Sequence, residues 1–422
     1  MRALAIATDR KAGARAALRA AVAGLPGAFW ALWAGMLVNR LGGFLVPFLG
    51  LYLTRSRGLP VAEAGAVVSL FGLGAVFAGP VAGFLADRIG RRATLLVSLV
   101  GGGLLTMAIA FVTAPGPLSL LVFATGFVGE IYRPPAHAVV ADVVPPGDRR
   151  RAFGLLYWAV NLGFSLGLVL AGLISQVSYA LLFVGDGATT LVFAAIVLRN
   201  VPETRPRADR PEPLGEAFLG ILAPFRDRVF APFFALQFLL VVVFMQFSLA
   251  LPVDMTSHGV STAGFGALIA LNGILIVFLQ PAVARVVSRV DSARVMAAGA
   301  VLVGAGFGMN ALHHSVAWYA AGIVVWSFGE IFTLPVASAI PAELAPVELR
   351  GRYQGAYSVS WALASIASPF AGSRVLASYG ANALWAASFA LGLAVAAGHL
   401  AIGPARRRRL AEIRAAAVYS PR

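Results

Sequence analysis

The 422 residues of this chain are 59% hydrophobic and only 12% charged, about half the charged share of soluble domains. This composition excludes a water-soluble globular protein, which needs far more polar surface, and indicates a chain that folds in lipid. The formal net charge of +15 does not indicate a nucleic-acid-binding protein, because the basic residues lie between long apolar runs, as in the cytoplasmic loops of membrane proteins.

Residues 1–28 form a basic arm without a compact apolar stretch and small-residue cleavage site, so we expect it on the cytoplasmic side. Apolar runs follow, each long enough to cross ~30 Å of hydrocarbon with ~20 residues. Six runs fill 29–198, an Arg- and Pro-rich loop covers 199–228, six more runs fill 229–402, and a basic tail covers 403–422. The runs lie at 29–53, 64–86, 93–112, 117–140, 152–174, 178–198, 229–252, 263–286, 294–313, 316–340, 352–376 and 380–402.

Arginine and lysine are distributed asymmetrically between alternate loops. With the N-terminus inside, the inner segments hold nearly all cations, and the outer loops hold only Arg55, Arg57 and Arg374. This asymmetry predicts that both termini are cytoplasmic.

The two halves of the sequence resemble each other. Gly129-Glu130-Ile131 recurs as Gly329-Glu330-Ile331. Six further pairs follow in almost the same register: Pro135 and Pro335, Asp142 and Glu343, Pro145 and Pro346, Arg151 and Arg352, Pro80 and Pro281, and Arg88 and Arg289. The apolar runs and the repeat together predict an all-α membrane protein of twelve transmembrane helices. We expect these helices to form two six-helix bundles related by a pseudo-twofold axis along the membrane normal.

A ten-residue segment, GFLADRIGRR at 83–92, connects the second and third runs. Gly83 permits close helix approach, Gly90 permits a tight turn, and Asp87 can accept hydrogen bonds from basic neighbours or a helix N-terminus. This segment closely resembles the signature loop of the major facilitator superfamily. The resemblance extends through Arg133, Asn161-Leu162-Gly163, Gly167 and Val201-Pro202-Glu203-Thr204, and through the repeat it covers essentially the whole chain.

The resemblance is strongest to twelve-helix bacterial drug:proton antiporters, which implies a multi-pass protein of the bacterial cytoplasmic membrane. It also implies that the loop latches the two halves on the cytoplasmic side, through Gly83, Asp87, Arg88, Gly90, Arg91 and Arg92. The second copy of the loop is eroded, because Ser288 stands in the place of Asp87 and Asp291 in the place of Gly90. We therefore expect one strong latch rather than two.

Ionisable residues at membrane depth are costly and usually face a cavity or a partner. Arg40 lies in the first run, Glu130 and Arg133 in the fourth, and Glu330 in the tenth. In the family these helices line a central cavity. Glu130, Arg133 and His137 share one helical face of the fourth run. We expect Glu130 to stay ionised, with Arg133 and Arg40 as its cationic partners. Glu330 has no such cation, so desolvation favours its protonated form and makes it the proton-coupling residue.

The alternative is that both glutamates are structural and bind unwound backbone near the prolines that follow them. Asp186, in the sixth run, is expected to have a structural partner. Polar and aromatic residues of the fifth, eighth and eleventh runs are expected to line a cavity for a moderately hydrophobic solute. They are Tyr157, Asn161, Asn272, Tyr357 and Trp361.

We therefore expect a secondary active transporter that works by alternating access and exports hydrophobic or cationic small molecules in exchange for protons. Two alternatives stay open: an importer or facilitator of a small metabolite, and a membrane sensor that does not transport. We expect no enzyme, cofactor or metal site, because the chain has no cysteine, its one lysine is followed by Ala12 rather than Ser or Thr, and its histidines lack HExxH spacing. The expected partners are the bilayer, a small-molecule substrate and protons, with no nucleic acid, and we expect a monomer.

Overall fold

The computed structural model describes residues 24–204, 215, 220, 222–287, 289–346 and 349–419. Most of the basic arm, much of the central loop, Ser288 and the last residues of the tail lie outside these ranges. Within the described residues all regular structure is helical, and ten helical segments are long and apolar enough to cross a membrane. The prediction of an all-α membrane protein is confirmed.

The helices of the first half are α1 (Gly27–Leu41), α2 (Leu45–Leu51), α3 (Val61–Ile89), α4 (Arg91–Ile109), α5 (Pro115–Glu130), α6 (Arg133–Val143), α7 (Arg149–Ser175) and α8 (Tyr179–Asn200). Those of the second half are α9 (Phe230–Phe244), α10 (Ala250–Ser257), α11 (Thr262–Val287), α12 (Ser292–Gly308), α13 (Val316–Leu344) and α14 (Arg350–Tyr419). Helix α14 is interrupted at Gly380, whose φ of 82° is not helical.

The first apolar run is two helices rather than one. Gly42 and Gly43 end α1, because glycine weakens a helix, and α2 begins two residues later. The backbone N–H groups of Phe44 and Leu45 both donate to Asp186 Oδ2 at 3.0 Å. A free N–H group has no water partner in hydrocarbon, so Asp186 stabilises the start of α2. The equivalent run of the second half also breaks, between α9 and α10.

The fourth run breaks as well, which corrects the expectation of one helix over 117–140. Helix α5 ends at Glu130 and α6 begins at Arg133. Pro134 and Pro135 lack amide hydrogens, so the carbonyl groups of Glu130 and Ile131 lose their usual donors. The tenth run has Pro335 alone at this place, and α13 continues unbroken from Val316 to Leu344. Two successive prolines interrupt the helix here, while a single one does not.

Two helix pairs, α3 with α14 and α7 with α11, make contacts between the halves of the chain. We call the end that carries Arg88, Arg91 and Arg92 the basic end, and the opposite end the distal end. In the distal half, α3 lies against α14, where Ser69 Oγ donates to the Ile366 carbonyl at 3.1 Å. There α7 also lies against α11, where Ser175 Oγ donates to Thr262 Oγ1 at 2.9 Å.

Glycines show where these contacts are tight and where they end. A Cβ built on Gly72 would lie 2.7 Å from the carbonyl carbon of Ser365, so α3 and α14 are in backbone contact there. Nearer the basic end, a Cβ on Gly79 or Gly83 of α3, or on Gly154 of α7, would meet nothing within 4 Å. These helices therefore touch in the distal half and have open space beside them towards the basic end.

Replacing Gly72 by alanine is expected to force α3 and α14 apart, since overpacking of this kind costs about 1–3 kcal/mol. The melting temperature of the purified protein should fall. The matched control is Gly79→Ala on the same helix, which has space for the methyl group and should leave stability unchanged or raise it by up to ~1 kcal/mol through helix propensity. Equal melting temperatures for Gly72→Ala and the wild type would contradict the contact.

Candidate functional site

Glu130 and Arg133 form an ion pair across the break between α5 and α6. Arg133 Nε lies 2.6 Å from Glu130 Oε2, and its Nη2 donates to Glu130 Oε1 at 3.1 Å. A two-point contact of this kind is the strongest arrangement for arginine and a carboxylate. The sequence predicted that Glu130 and Arg133 would pair on one continuous helix. They do pair, but on either side of a helix break. Glu130 is therefore charge-compensated by its neighbour.

Arg40, the third member of the predicted charge network, takes a different partner. Its Nη2 donates to the Tyr132 hydroxyl at 2.8 Å. Tyr132 lies within the break itself, so this hydrogen bond joins α1 to the unwound segment between α5 and α6. Arg40 also lies within electrostatic range of Asp186 and His137. The guanidinium group thus sits among polar groups of α1, α6 and α8.

Glu330 occupies the equivalent position in the second half, on α13. It is 8% exposed, and its Oε2 accepts a hydrogen bond from Asn272 Nδ2 of α11 at 2.8 Å. The same amide donates to Ser327 Oγ at 3.0 Å. Within the described residues no Lys or Arg forms an ion pair with Glu330. A neutral amide, rather than a cation, is therefore the partner of this buried carboxyl group.

Two of the residues predicted to line the cavity lie near Glu330, namely Asn272 and Tyr157. The hydroxyl of Tyr157, on α7, is within electrostatic range of Glu330 and of Tyr357. Tyr157 is 40% exposed. The structure thus brings together side chains of α7, α13 and α14, near the Asn272 amide of α11.

Two other predicted cavity residues have one contact within a helix and one between helices. The Asn161 amide donates to the Tyr157 carbonyl of its own helix at 2.9 Å. The Trp361 ring packs edge-on against Phe244 of α9, with ring centroids 5.9 Å apart. Both side chains are half-buried. Asn161 therefore satisfies its amide within α7, while Trp361 and Phe244 form an aromatic wall between α14 and α9.

The loop between α3 and α4 is held by residues of its own half. Gly90 has a φ of 94°, a conformation that favours glycine, and starts α4. The N–H of Arg91 donates to Glu203 Oε1 at 2.7 Å, so Glu203 caps α4 from beyond the end of α8. Arg91 also forms an ion pair with Asp142 at the end of α6. Sequence reasoning noted Glu203 within its motif but gave it no role. Its capping role depends on a contact across 112 residues.

The second half caps the equivalent helix differently. Asp291 replaces glycine at the start of α12, where its Oδ1 accepts from the N–H groups of Ala293 and Arg294 at 3.1 and 3.3 Å. Its Oδ2 lies 3.2 Å from Arg407 Nη1. Burial acts to raise the pKa of Asp291, but these partners together hold it below its ordinary value. Such a carboxylate stabilises the fold above its unfolded pKa, and the contribution is lost as pH falls through the folded pKa.

The sequence matches known membrane transporters along most of its length. It is 26% identical over 369 residues to a Na(+), Li(+), K(+)/H(+) antiporter of Planococcus maritimus, a match that covers 79% of this chain and 85% of the relative. It is 28% identical over 167 residues to the quinolone resistance protein NorA of Staphylococcus aureus, which covers 38% of this chain and 42% of NorA.

The fold matches solved transporter structures. The nucleoside transporter NupG superposes with a TM-score of 0.79 over 89% of this chain and 99% of NupG, at 16% sequence identity. That likeness shows a shared fold. The family model described as Major Facilitator Superfamily matches residues 32–369, and matches again over 233–417. The chain therefore belongs to the major facilitator superfamily.

Proposed function

We propose that this membrane transporter is a proton-coupled exporter of hydrophobic or cationic small molecules, and that Glu330 carries the proton. The observation that carries the proposal is the buried Glu330 carboxyl group, whose hydrogen-bond partner is the Asn272 amide.

The proposed topology has twelve crossings in two bundles, comprising residues 29–198 and 229–402. Ten segments are each long and apolar enough to span. The α5–α6 pair supplies one more crossing, because the proline break makes each part too short to be counted alone. Gly380 divides α14 into two helical parts, and the second part supplies the twelfth crossing. The repeat of Gly129-Glu130-Ile131 at 329–331 supports equal orientation of the two bundles.

The proposed orientation places the basic end, the central loop 199–228 and both termini in the cytoplasm. The concentration of arginine at this end supports it. The tight contacts of α3 with α14 and of α7 with α11 lie in the distal half, and open space lies towards the basic end. This arrangement fits a conformation closed to the outside and open to the cytoplasm, which is one of the two states that alternating access requires.

The two glutamates are proposed to have different tasks. Glu130 has a guanidinium partner, so it stays ionised and fixes the break between α5 and α6 together with Arg40 and Tyr132. Glu330 has an amide partner, which stabilises a carboxylate less than a cation does. Protonation of Glu330 removes a buried charge without leaving a cation unpaired, so this group can exchange a proton each time the cavity opens to water.

The proposed substrate class follows from the surroundings of Glu330. Aromatic rings at Tyr157, Tyr357 and Trp361 offer apolar surface and faces that attract cations. A carboxyl group beside Tyr157 suits a hydrophobic cation that competes with the proton. A relative that is a cation/H(+) antiporter and another that is a quinolone resistance protein support exchange and export.

Glu330→Gln is expected to abolish coupling, because the amide cannot release a proton. In proteoliposomes, accumulation of tetraphenylphosphonium or ethidium driven by a pH gradient should fall at least tenfold, ~1.4 kcal/mol, while exchange without a gradient persists. The matched control is Glu63→Gln, an exposed glutamate at the start of α3, which should accumulate the probes as the wild type does. Full gradient-driven accumulation by Glu330→Gln would contradict the assignment.

Asp87→Asn is expected to impair export by weakening the loop at the basic end. In a pump-deficient bacterial host, the wild type should raise the inhibitory concentration of several hydrophobic cations, and Asp87→Asn should lose most of this protection at equal membrane abundance. The export proposal fails if the wild type gives no protection against any compound of a broad panel.

A further inference from the structure

Three side chains at the distal end meet around a single point, although the sequence separates them. Asp254 and His258 lie at the end of α10, and His314 lies in the segment before α13. A carboxylate oxygen and one nitrogen from each imidazole ring lie within 4.8 Å of one another. The histidine rings are stacked, with centroids 3.7 Å apart and planes 7° apart. The cluster lies outside the transport site described above.

Asp254 is held by two donors that leave one of its oxygens unused. The carboxylate is 2% exposed, and its Oδ2 accepts from the Tyr319 hydroxyl at 3.0 Å and from Trp385 Nε1 at 3.1 Å. Oδ1 is buried and has no hydrogen-bond partner among the described residues. It lies 3.3 Å from His258 Nδ1. A buried carboxylate oxygen without a donor is costly and indicates a missing ligand.

The neighbouring contacts orient the histidines as well. His314 Nδ1 lies 3.3 Å from the Tyr319 hydroxyl, so the same tyrosine contacts both the carboxylate and one ring. His258 is about one-third exposed, so water can reach the cluster from one side. The two imidazole rings are parallel, so one of them must turn for a nitrogen of each ring to face the same ion.

We propose that Asp254, His258 and His314 form a binding site for a divalent transition-metal ion, with zinc as the best-fitting occupant. Zinc takes imidazole nitrogen and carboxylate oxygen at ~2.0–2.2 Å in a tetrahedron, whose edges are then about 3.3 Å. The separation of Asp254 Oδ1 and His258 Nδ1 equals this edge, and metal binding at this nitrogen would replace its present 2.9 Å contact with the Asp254 carbonyl oxygen. Three protein ligands leave a fourth position for water. Calcium and magnesium prefer more ligands, all of them oxygen, so the donor set disfavours both.

The position of the site gives it a structural consequence. Thr256 lies between Asp254 and His258, and its carbonyl accepts from Arg55 Nη2 at 2.6 Å. Arg55 follows α2 in the first half, so this hydrogen bond joins the two halves at the distal end. A metal ion bound to Asp254 and His258 would hold the end of α10 in place, and with it the Thr256 carbonyl group that accepts the hydrogen bond from Arg55. Bound zinc should therefore raise the melting temperature of the protein.

The test is zinc binding to the purified, chelator-treated protein, measured by competition with a fluorescent zinc indicator. The wild type should bind one zinc ion per chain, and excess magnesium should not displace it. His314→Ala and His258→Ala each remove a ligand, so each should weaken binding by more than the ~10–100-fold that loss of an outer-shell partner costs. The control is His313→Ala, because this neighbouring ring accepts the Ser315 N–H and is not part of the cluster; it should bind zinc as the wild type does.

Melting temperatures without zinc show whether each variant is folded, and the zinc-induced rise should be lost in His314→Ala but kept in His313→Ala. Absence of zinc binding by the wild type, or equal binding by His314→Ala and His313→Ala, would overturn the proposal. The measurement needs no substrate, so its result is independent of the transport proposal.

Discussion

A polar group in hydrocarbon has no water to bind, so each one must find its partner within the protein. The irregular places in this fold follow from that constraint. Where Gly42 and Gly43 end α1, Asp186 accepts the two N–H groups that the next helix leaves free. Where two prolines break the fourth run, Arg133 reaches back to Glu130 and Tyr132 binds Arg40. Asp186 thus satisfies backbone groups at the first of these breaks, and side-chain contacts of Arg133 and Tyr132 hold the second.

The same constraint distinguishes the two halves. The repeat preserves the glutamate positions, Glu130 and Glu330, but it does not preserve their partners. A guanidinium group neutralises the first, whereas an amide binds the second. The prolines also distinguish the halves. Two prolines break the helix after Glu130, whereas with Pro335 alone α13 stays continuous and Glu330 is buried on an intact helix. In the proposed function, the two similar halves therefore have different tasks, charge compensation in one and proton exchange in the other.

Sequence patterns predicted the fold class, the apolar runs and the equivalent glutamates, because these depend on composition and period. They did not predict contacts between distant residues. Nothing near Glu330 in the sequence identifies Asn272 as its partner, and Glu203 caps a helix that begins 112 residues earlier. The Asp254, His258 and His314 cluster escaped notice for the same reason, since no local spacing connects His314 to the others. Pro134-Pro135 was a visible signal for the break between α5 and α6, although the run around it had predicted one helix.

Proton release on substrate binding tests the central claim most directly, because it follows the proton itself. Adding tetraphenylphosphonium to the detergent-solubilised wild type in weakly buffered solution should release protons in proportion to the substrate bound. Glu330→Gln should bind the cation and release none. Equal proton release by the wild type and Glu330→Gln would show that another group carries the proton and would contradict the account.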